Sequence, residues 1–301
     1  PNKANFDNDG LRNRAITDVF EPGSVMKPFA VASALETGRW APTTPIDTTP
    51  GRISISGHTI SDHHNYGPID LTRLITKSSN VAATKVALDL DPEHMWNTLD
   101  RFGFGDVTGS GFPGESAGVL RNHRRWRRVE QATIAYGYGI SVTVLQLAEA
   151  FAALADEGRL RRPSLVMGAN NPPVSVLDPE IARQVADMLE TVTGPEGTGK
   201  AARVKNYRVS GKTGTSRKAS AAGYASRYIA SFAGFAPSSN PRLVAVAVVN
   251  DPSGEAYYGG LVAAPLFSTV MEGALRLLNV PPDDYQVMVT QAETDGSGVE
   301  P

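Results

Sequence analysis

The spacing of apolar residues divides the chain into a helical part and a sheet part. From residue 24 to about residue 191, apolar residues recur at intervals of three and four, which is the helical period. Segments with this pattern are predicted to be helices: 24–37, 70–77, 81–90, 91–102, 143–157 and 178–191. Three later segments are typical of strands, 207–216, 228–236 and 243–250, and an apolar helix is predicted over 265–278.

Glycine and proline positions indicate where these elements end. Gly38 directly follows the helix predicted over 24–37, as a terminating glycine does. The segment 41–70 is rich in Pro, Gly, Thr and His, and a short alternating run at 52–56 predicts a small hairpin there. The stretch 216–227, between two predicted strands, is predicted to be a flexible loop.

The order of the elements predicts a single α+β domain. Helices come first, then a largely antiparallel sheet, then a helix that could cover it, without internal repeats. The polar ends predict a loose lead-in over 1–12 and a disordered tail over 282–301. We therefore expect the domain to occupy residues 1–281.

Composition narrows the functional classes. The 301 residues are 41% hydrophobic, which is enough for a substantial core, and the net charge of −2 favours neither nucleic acid nor an anionic membrane as a partner. There is no cysteine, so disulfides, thiolate catalysis and thiolate metal sites are excluded. No apolar run approaches the roughly 20 residues of a membrane span. Because the chain begins at Pro1 without a signal peptide, we interpret it as a fragment whose targeting segment, if any, lies upstream.

A first candidate motif is Ser24-Val25-Met26-Lys27. The spacing of three places the hydroxyl of Ser24 and the amine of Lys27 on one face of a helical turn. A desolvated lysine can lose its proton and act as a base toward the serine, which is otherwise a weak nucleophile. The alternative is an ordinary helix start, with Ser24 as N-cap and Lys27 solvated.

A second candidate motif, Ser78-Ser79-Asn80, interrupts an apolar helical region. A short loop there could direct a hydroxyl and an amide into the same cleft. Ser78 could relay a proton, and Asn80 could donate to a substrate carbonyl and accept from Lys27. The alternative is a polar connector between two helices.

A third candidate motif, Lys212-Thr213-Gly214-Thr215, lies on a predicted strand. Thr213 and Thr215 share a face, and their hydroxyls with the Lys212 ammonium could bind a carboxylate. Gly214 removes a side chain where a substrate backbone could approach. The N–H groups of Ser24 and Thr215 could hold an oxyanion, and Lys212 is a candidate cation to lower the pKa of Lys27. The alternative is a strand with a glycine bulge.

These three motifs, in this order, resemble the set that marks penicillin-recognising serine acyl-transferases. Longer segments resemble the transpeptidase domain of class B penicillin-binding proteins, in particular the division-specific septal enzymes of Gram-negative bacteria. The resemblance runs from about residue 12 to 281 and is carried by RNRAITDVFEPGS at 12–24, KSSNV at 77–81, AYGYG at 135–139, GKTGT at 211–215, FAP at 235–237 and YYGG at 257–260.

The resemblance implies a fold and a reaction. The fold would be that of the penicillin-recognising serine transpeptidases and β-lactamases, with a helical subdomain and a five-stranded antiparallel sheet flanked by helices. Ser24 would attack the penultimate D-Ala of a peptidoglycan stem peptide and release the terminal D-Ala. An amine of a neighbouring stem peptide would resolve the acyl-enzyme into a cross-link, and β-lactams would leave a long-lived adduct on Ser24.

The resemblance also implies further residues and a cellular context. It makes five residues candidates for the cleft wall, although the tyrosines could instead be core residues and the arginine solvated: Tyr136, Tyr138, Arg217, Tyr257 and Tyr258. It implies no cofactor and no metal. Full-length family members carry a membrane anchor and a pedestal domain, which are absent here. They work in the periplasm at the division septum, with a septal glycosyltransferase and other divisome proteins.

Three alternative functions remain open from the sequence. A serine β-lactamase of class A would need a further glutamate to activate water. The nearest candidates, Glu93 and Glu115, do not lie in a Glu-x-x-Leu-Asn context. A non-catalytic β-lactam sensor domain would keep the motifs without turning over peptide, and a carboxypeptidase would use water in place of the amine.

Two polar clusters are predicted to be ordinary surface. His58, His63 and His64 lie near Asp62, but without the recurring spacing of a metal site. The arginines over 121–128 could contact an acidic glycan or a partner, and a solvated basic face is the simpler interpretation.

Overall fold

The computed structural model describes residues 12–169, 171–220, 223–254 and 256–284, which form an α+β fold. The helices are α1 (Arg14–Thr17), α2 (Lys27–Glu36), α3 (Leu71–Lys77), α4 (Asn80–Asp89), α5 (Pro92–Arg101), α6 (Arg128–Ile134), α7 (Val144–Ala155), α8 (Pro179–Glu190) and α9 (Gly259–Leu277). The strands are β1 (Ile46–Asp47), β2 (Arg52–Ile55), β3 (His58–Ser61), β4 (Pro68–Ile69), β5 (Arg159–Leu160), β6 (Val174–Ser175), β7 (Ser210–Ser220), β8 (Gly223–Ala236) and β9 (Leu243–Asn250).

Helix α2 is the centre of the helical subdomain. The helix predicted over 24–37 is present, but its first turn is a 3₁₀ turn, Gly23–Met26. Pro28 lies in the first turn of α2, where a missing N–H costs no helical bond. Phe29 contacts the rings of Phe102, Phe104 and Phe151 edge-on, at centroid distances of 4.9, 5.0 and 5.6 Å. Lys27, the candidate base for Ser24, therefore lies at the start of a helix that is packed into the core.

Helices α3 and α4 meet at a corner made by the second motif. Ser78 ends α3 in the left-handed region, with φ of 60°, and the Ser79 hydroxyl caps α4 by accepting from Ala82 N at 2.9 Å. The prediction of a polar interruption between two helices is confirmed. The corner turns Ser78 and Asn80 toward α2.

The main sheet has the order β7-β8-β9 and is antiparallel, with Thr215 opposite Ala230. The three predicted strands are confirmed, but the prediction of a flexible loop over 216–227 is wrong. Strand β7 continues to Ser220 and β8 begins at Gly223, because cross-strand pairs such as Arg217 with Tyr228 and Ala219 with Tyr224 extend the ladder, although the segment lacks the apolar alternation of a strand. The tip of this hairpin, residues 221–222, lies outside the described residues.

Strand β9 forms one edge of the sheet. In the part of the chain that the structure describes, the main sheet has three strands, whereas the resemblance implies five. The small hairpin predicted at 52–56 is confirmed as a separate pair of β2 and β3.

Helix α9 covers one face of the sheet. It begins at Gly259, six residues before the predicted start, and accommodates Pro265 in its interior. Phe267 packs against Phe232 of β8 at a centroid distance of 4.7 Å. By length and composition alone, this 19-residue helix could cross a membrane, although polar residues interrupt its apolar sequence; here one of its faces packs on the sheet.

The predicted boundary of the tail at residue 282 is three residues early. Asp283 accepts hydrogen bonds from the backbone N–H groups of Arg208 and Ser239 at 2.8 and 3.1 Å, and Asp284 N donates to Asn206 O at 3.2 Å. Residues 282–284 therefore belong to the folded part. Residues 285–301 of the predicted tail, and 1–11 of the predicted lead-in, lie outside the described residues.

Candidate active site

Lys27 is fully buried and lies within hydrogen-bond distance of three residues of the first two motifs. Its Nζ is 3.0 Å from Ser24 Oγ, 3.0 Å from Ser78 Oγ, 2.5 Å from the Ser78 carbonyl oxygen and 2.8 Å from Asn80 Oδ1. The orientation of the Asn80 amide is defined because its Nδ2 donates to Ser61 O at 3.2 Å. The predicted contact between Lys27 and Ser24 is present, and the solvated alternative for Lys27 is wrong.

The partners of Lys27 fit a neutral amine. The Ser78 carbonyl and Asn80 Oδ1 can only accept hydrogen bonds, so they take two N–H groups. A neutral amine then has its lone pair left, and the remaining neighbours are hydroxyl groups that can donate to it. Ser24 is such a hydroxyl, so the geometry lets Lys27 accept the Ser24 proton.

Electrostatics favour the same protonation state. Burial is the largest cause that lowers the pKa of Lys27 well below its usual value, and the positive charge of Lys212 lowers it further. The Asp62 carboxylate opposes this shift. Both causes expected from the sequence, burial and a neighbouring cation, are present.

Lys212 is the second buried lysine of the site. Its Nζ donates to Ser78 Oγ at 2.9 Å, so Ser78 lies between the two amines. Burial lowers the pKa of Lys212 to about 7. Ser78 is thereby placed to pass a proton between Lys27 and the cleft.

Asp62 hydrogen-bonds to the second motif, a contact that no sequence pattern indicated. One carboxylate oxygen accepts from the N–H groups of Asn80 and Val81 at 2.5 and 3.0 Å, and the other accepts from Ser79 Oγ at 2.6 Å. The carboxylate thus satisfies the first N–H groups of α4. Asp62 was expected in a surface loop; it instead fixes the helix start that carries Asn80.

The turn carrying Ser24 packs directly against β7. Gly23 has φ of +61°, and a Cβ added there would lie 3.1 Å from the Thr215 carbonyl oxygen. A Cβ added to Gly214 would lie 2.9 Å from the Pro22 carbonyl and would overlap Ser231 Oγ. The glycine of the third motif is therefore required by packing between strand and turn, and it also lines the cleft. This packing brings the backbones of Ser24 and Thr215 side by side.

The hydroxyl groups of the third motif face one cleft, as the strand period predicts. Thr213 and Thr215 both line it, and the Lys212 ammonium is 3.4 Å from Thr213 Oγ1. Thr215 Oγ1 accepts from Gly259 N at 2.9 Å, at the first residue of α9. This end of the cleft combines two hydroxyls, a lysine and a helix N-terminus, which suits a carboxylate.

The cleft has a volume of about 820 Å³ and collects the predicted site residues. Lys27 and Lys212 lie buried beneath it, and the others line it: Ser24, Ser78, Asn80, Tyr136, Tyr138, Thr213, Gly214, Thr215, Arg217, Tyr257 and Tyr258. Sequence reasoning missed Tyr228, His63 and His64, which also line the cleft. The two histidines lie directly after the β2–β3 hairpin, and the sequence does not predict where this hairpin lies relative to the main sheet.

Aromatic rings form the outer wall of the cleft. Tyr257 stacks between Tyr228 and Tyr258 at centroid distances of 4.0 and 4.5 Å, and Tyr258 contacts His63 edge-on at 5.7 Å. The expectation that both YYGG tyrosines lie at the cleft is met by this arrangement. The row reaches from β8 to the loop after β3, so it joins the sheet to the helical subdomain.

The opposite wall is held by Glu21, another residue that sequence reasoning did not assign. Its Oε1 accepts from Gly139 N at 2.8 Å and from Tyr224 OH at 3.1 Å. Arg217 N donates to Tyr138 OH at 3.2 Å, and burial is the largest cause that raises the pKa of Tyr138. Burial also raises the pKa of Tyr136 to about 12, so both phenols are neutral at physiological pH.

Within the described residues, no group of three or more His, Asp or Glu side chains is close enough to hold a metal ion. Glu93 and Glu115, the candidates for water activation, are not among the described residues that line the cleft. Glu115 accepts from Thr108 N at 2.7 Å and from Ser110 Oγ at 3.0 Å, and Glu93 lies 3.8 Å from His123.

In this fold, the hydroxyl of Ser24 lies against the amine of the buried Lys27, with a second buried lysine and two threonine hydroxyls at the same cleft. The family described as "Penicillin binding protein transpeptidase domain" matches residues 1–272, so the chain belongs to this family. A solved structure of the transpeptidase domain of penicillin-binding protein 3 from Burkholderia pseudomallei has a TM-score of 0.87 at 45% identity, and the match covers 91% of this chain and 84% of that chain. The predicted fold class is confirmed.

Curated relatives agree with this assignment. The chain is 42% identical to "Probable peptidoglycan D,D-transpeptidase PbpC" of Pseudomonas aeruginosa, over 95% of this chain and 51% of the relative. It is 43% identical to "Peptidoglycan D,D-transpeptidase FtsI" of Escherichia coli, over 91% of this chain and 47% of the relative. The chain therefore spans about half the length of these relatives.

Proposed function

We propose that this domain is a serine D,D-transpeptidase that cross-links peptidoglycan stem peptides during septal wall synthesis, with Ser24 as nucleophile. The observation that carries the proposal is the buried Lys27 amine, 3.0 Å from Ser24 Oγ, with two pure acceptors for its N–H groups. The family assignment and the names of the relatives support the substrate class.

Acylation begins with proton transfer from Ser24 to Lys27. Ser24 Oγ forms a bond to the carbonyl carbon of the penultimate D-Ala, and its proton passes to Lys27 Nζ. The N–H groups of Ser24 and Thr215, on neighbouring backbones, stabilise the oxyanion. The bond to the nitrogen of the terminal D-Ala then breaks, and that nitrogen takes a proton from Lys27 through Ser78 Oγ, which lies 3.0 Å from the lysine.

Deacylation reverses these proton movements. The amine of a second stem peptide attacks the ester carbonyl and gives a proton to Lys27, and Ser24 Oγ leaves with a proton. Lys212, Thr213 and Thr215 hold the terminal carboxylate of the donor before the first step, while Asn80 supports the lysine and the donor peptide. Tyr136, Tyr138, Arg217, Tyr257 and Tyr258 form the walls that position both peptides. We expect no cofactor in this reaction.

The composition of the cleft argues against a β-lactamase. Among the described residues that line the cleft, there is no aspartate or glutamate to activate water. A β-lactam adduct on Ser24 should therefore be long-lived. A sensor domain would show the same adduct, so peptide turnover separates the two functions.

The cellular setting follows from the substrate. Peptidoglycan lies outside the cytoplasmic membrane, so we place this domain in the periplasm, carried by a longer protein anchored in the inner membrane at the division septum. A septal glycosyltransferase and other divisome proteins are the partners expected for such a protein.

Intact-protein mass spectrometry tests the nucleophile. The wild-type protein should gain the mass of one benzylpenicillin for hours, and Ser24→Ala should gain nothing. A short-lived adduct with drug consumption would point to a hydrolase, and no adduct on the wild type would refute the assignment of Ser24.

Release of D-Ala from a D-Ala-D-Ala peptide tests the reaction. We expect release that depends on Ser24, and transfer to an added amine acceptor. Release without transfer at any acceptor concentration would indicate a carboxypeptidase, and acylation by drug without peptide turnover would indicate a sensor.

A further inference from the structure

A third hydroxyl lies beside those of Thr213 and Thr215. Thr198 Oγ1 is 2.7 Å from Thr213 Oγ1, and Thr198 lines the same cleft. Thr198 belongs to a loop after α8, and none of the sequence motifs contains it. Its hydroxyl nevertheless makes one of the closest side-chain contacts to the third motif.

The loop that carries Thr198 is tightly built. Gly197 N donates to Gly194 O at 3.1 Å, and Gly199 N donates to Val192 O at 2.9 Å. A Cβ added to Gly199 would lie 2.9 Å from the ring of Phe232 in β8. Gly199 therefore lets the loop pack against the sheet, and Gly197, whose added Cβ would overlap the Val192 carbonyl oxygen, lets the loop close on itself; together they fix the backbone of Thr198 opposite Thr213.

The start of α9 contacts both the backbone of Thr198 and the hydroxyl of Thr215. Gly260 packs so closely on the Thr198 carbonyl oxygen that an added Cβ would overlap it, and Gly259 N donates to Thr215 Oγ1 at 2.9 Å. Thr198 and Thr215 are thus both set by consecutive residues of one helix N-terminus. Such a terminus itself favours an anion in the space between them.

The neighbours of these hydroxyls restrict the directions in which their protons can point. Thr215 Oγ1 accepts from Gly259 N, so its own proton is free to point into the cleft. Thr213 Oγ1 is 3.4 Å from the Lys212 ammonium, which can only donate while it is charged. If Thr198 also donates to Thr213, both acceptor positions of Thr213 are used, and its proton is directed to a ligand.

We propose that Thr198 is a positioning residue for the carboxylate site, whose hydroxyl donates to Thr213 and so orients and polarises the Thr213 hydroxyl toward the terminal carboxylate of the donor peptide or β-lactam. Chains of hydrogen bonds strengthen one another in this way. The proposal rests on the proposed function, because it assigns a residue to recognition of that substrate. It predicts that removing the Thr198 hydroxyl slows acylation by ligands that carry the carboxylate more than acylation by ligands that lack it.

Acylation by benzylpenicillin and by its methyl ester, which lacks the carboxylate charge, tests the proposal. Thr198→Val keeps the shape and removes the hydroxyl, and it should lower the second-order acylation rate constant for benzylpenicillin by roughly three- to tenfold, the worth of one neutral hydrogen bond. The rate constant for the ester should change less than about twofold. Thr198→Ser, which keeps the hydroxyl, should restore the rate with benzylpenicillin.

Three results overturn the proposal: equal losses for both ligands, no loss for benzylpenicillin, or no rescue by serine. Thr59→Val, at an exposed position of β3, is the matched control and should change neither rate constant. Failure of the proposed function is seen separately, because the wild-type protein would then release no D-Ala from a D-Ala-D-Ala peptide, whatever its rate of acylation by the two ligands.

Discussion

Replacing Asp62 with asparagine should weaken the site in two measurable ways. The carboxylate accepts three hydrogen bonds, from Ser79 Oγ and from the N–H groups of Asn80 and Val81, at 2.5–3.0 Å. An asparagine oxygen can keep the two backbone donors, but its NH₂ group faces the Ser79 hydroxyl as a second donor. Ser79 is fully buried, so its proton would have no acceptor.

The cost can be worked out from these contacts. A buried hydroxyl without a partner costs about 1–3 kcal/mol, and two bonds to a neutral oxygen are worth roughly half of those to a carboxylate. Two bonds worth about 1.5–3 kcal/mol each to a carboxylate then lose about 1.5–3 kcal/mol together, so the total cost is about 2.5–6 kcal/mol. For a chain of this size, that lowers Tm by roughly 4–10 °C, as measured by scanning calorimetry.

The second effect is on the pKa of Lys27, the proposed base. The negative charge of Asp62 raises the pKa of Lys27, so its removal lowers that pKa further. If Lys27 must be neutral to accept the Ser24 proton, the acid limb of the acylation rate should move to lower pH in Asp62→Asn. The plateau rate should fall, because Asn80 is less firmly held.

A matched control separates these effects from a general loss of charge at a helix start. Asp91 caps α5 by accepting from Glu93 N at 2.7 Å. Asp91→Asn keeps a good cap and lies outside the site, so Tm and the pH profile should both stay near the wild type. An unchanged Tm in Asp62→Asn, together with an unmoved acid limb, would refute the reasoning.

Further predictions concern pH and packing. Burial raises the pKa of Glu149 to about 7. Between the usual pKa of a glutamate and pH 7, the folded state therefore binds more protons than the unfolded state, so stability falls as pH rises through this window. Glu149→Gln should raise the free energy of unfolding by about 1–3 kcal/mol at pH 8 and change it little at pH 5, as measured in thermal melts. The pKa of Lys212, lowered to about 7, predicts that acylation by benzylpenicillin weakens above pH 7 relative to its methyl ester, and a constant ratio of rate constants would contradict a charged role. Gly214→Ala would place a Cβ on Ser231 Oγ and push β7 off the Ser24 turn, so acylation and Tm should both fall. Gly273→Ala, in open space within α9, should instead raise stability by about 0.5–1 kcal/mol, and equal effects of the two substitutions in these assays would contradict the packing argument.

The sequence predicted the parts of the site that depend on local geometry. Ser24 and Lys27 share a face because helical spacing alone brings them together. Thr213 and Thr215 share a face because the strand period is two. Seven of the helices and the three strands of the main sheet followed from the same periodicities, whereas α1 and α6 were not predicted.

The parts that failed depend on contacts between distant segments. Asp62 acts on a helix start 17 residues further along the chain, and only the folding of the β2–β3 hairpin onto α4 creates that contact. The hairpin over 216–227 was missed because its residues show no apolar alternation, while its ladder is an extension of the pairing between β7 and β8. The packing reason for Gly214 needed the position of a turn nearly 200 residues earlier.

The long sequence separations within the site also make it a reporter of folding. Lys27 bonds to a residue 51 positions away, and Lys212 bonds to the same Ser78 across 134 positions. Contacts of this kind form late, because closing long loops and pairing distant strands is slow. A chain that has its helices but has not docked β7 onto the Ser24 turn would have no oxyanion donors and no buried base. Labelling by a fluorescent penicillin should therefore count only completely folded molecules, and its time course during refolding would follow the last step of assembly rather than the first collapse.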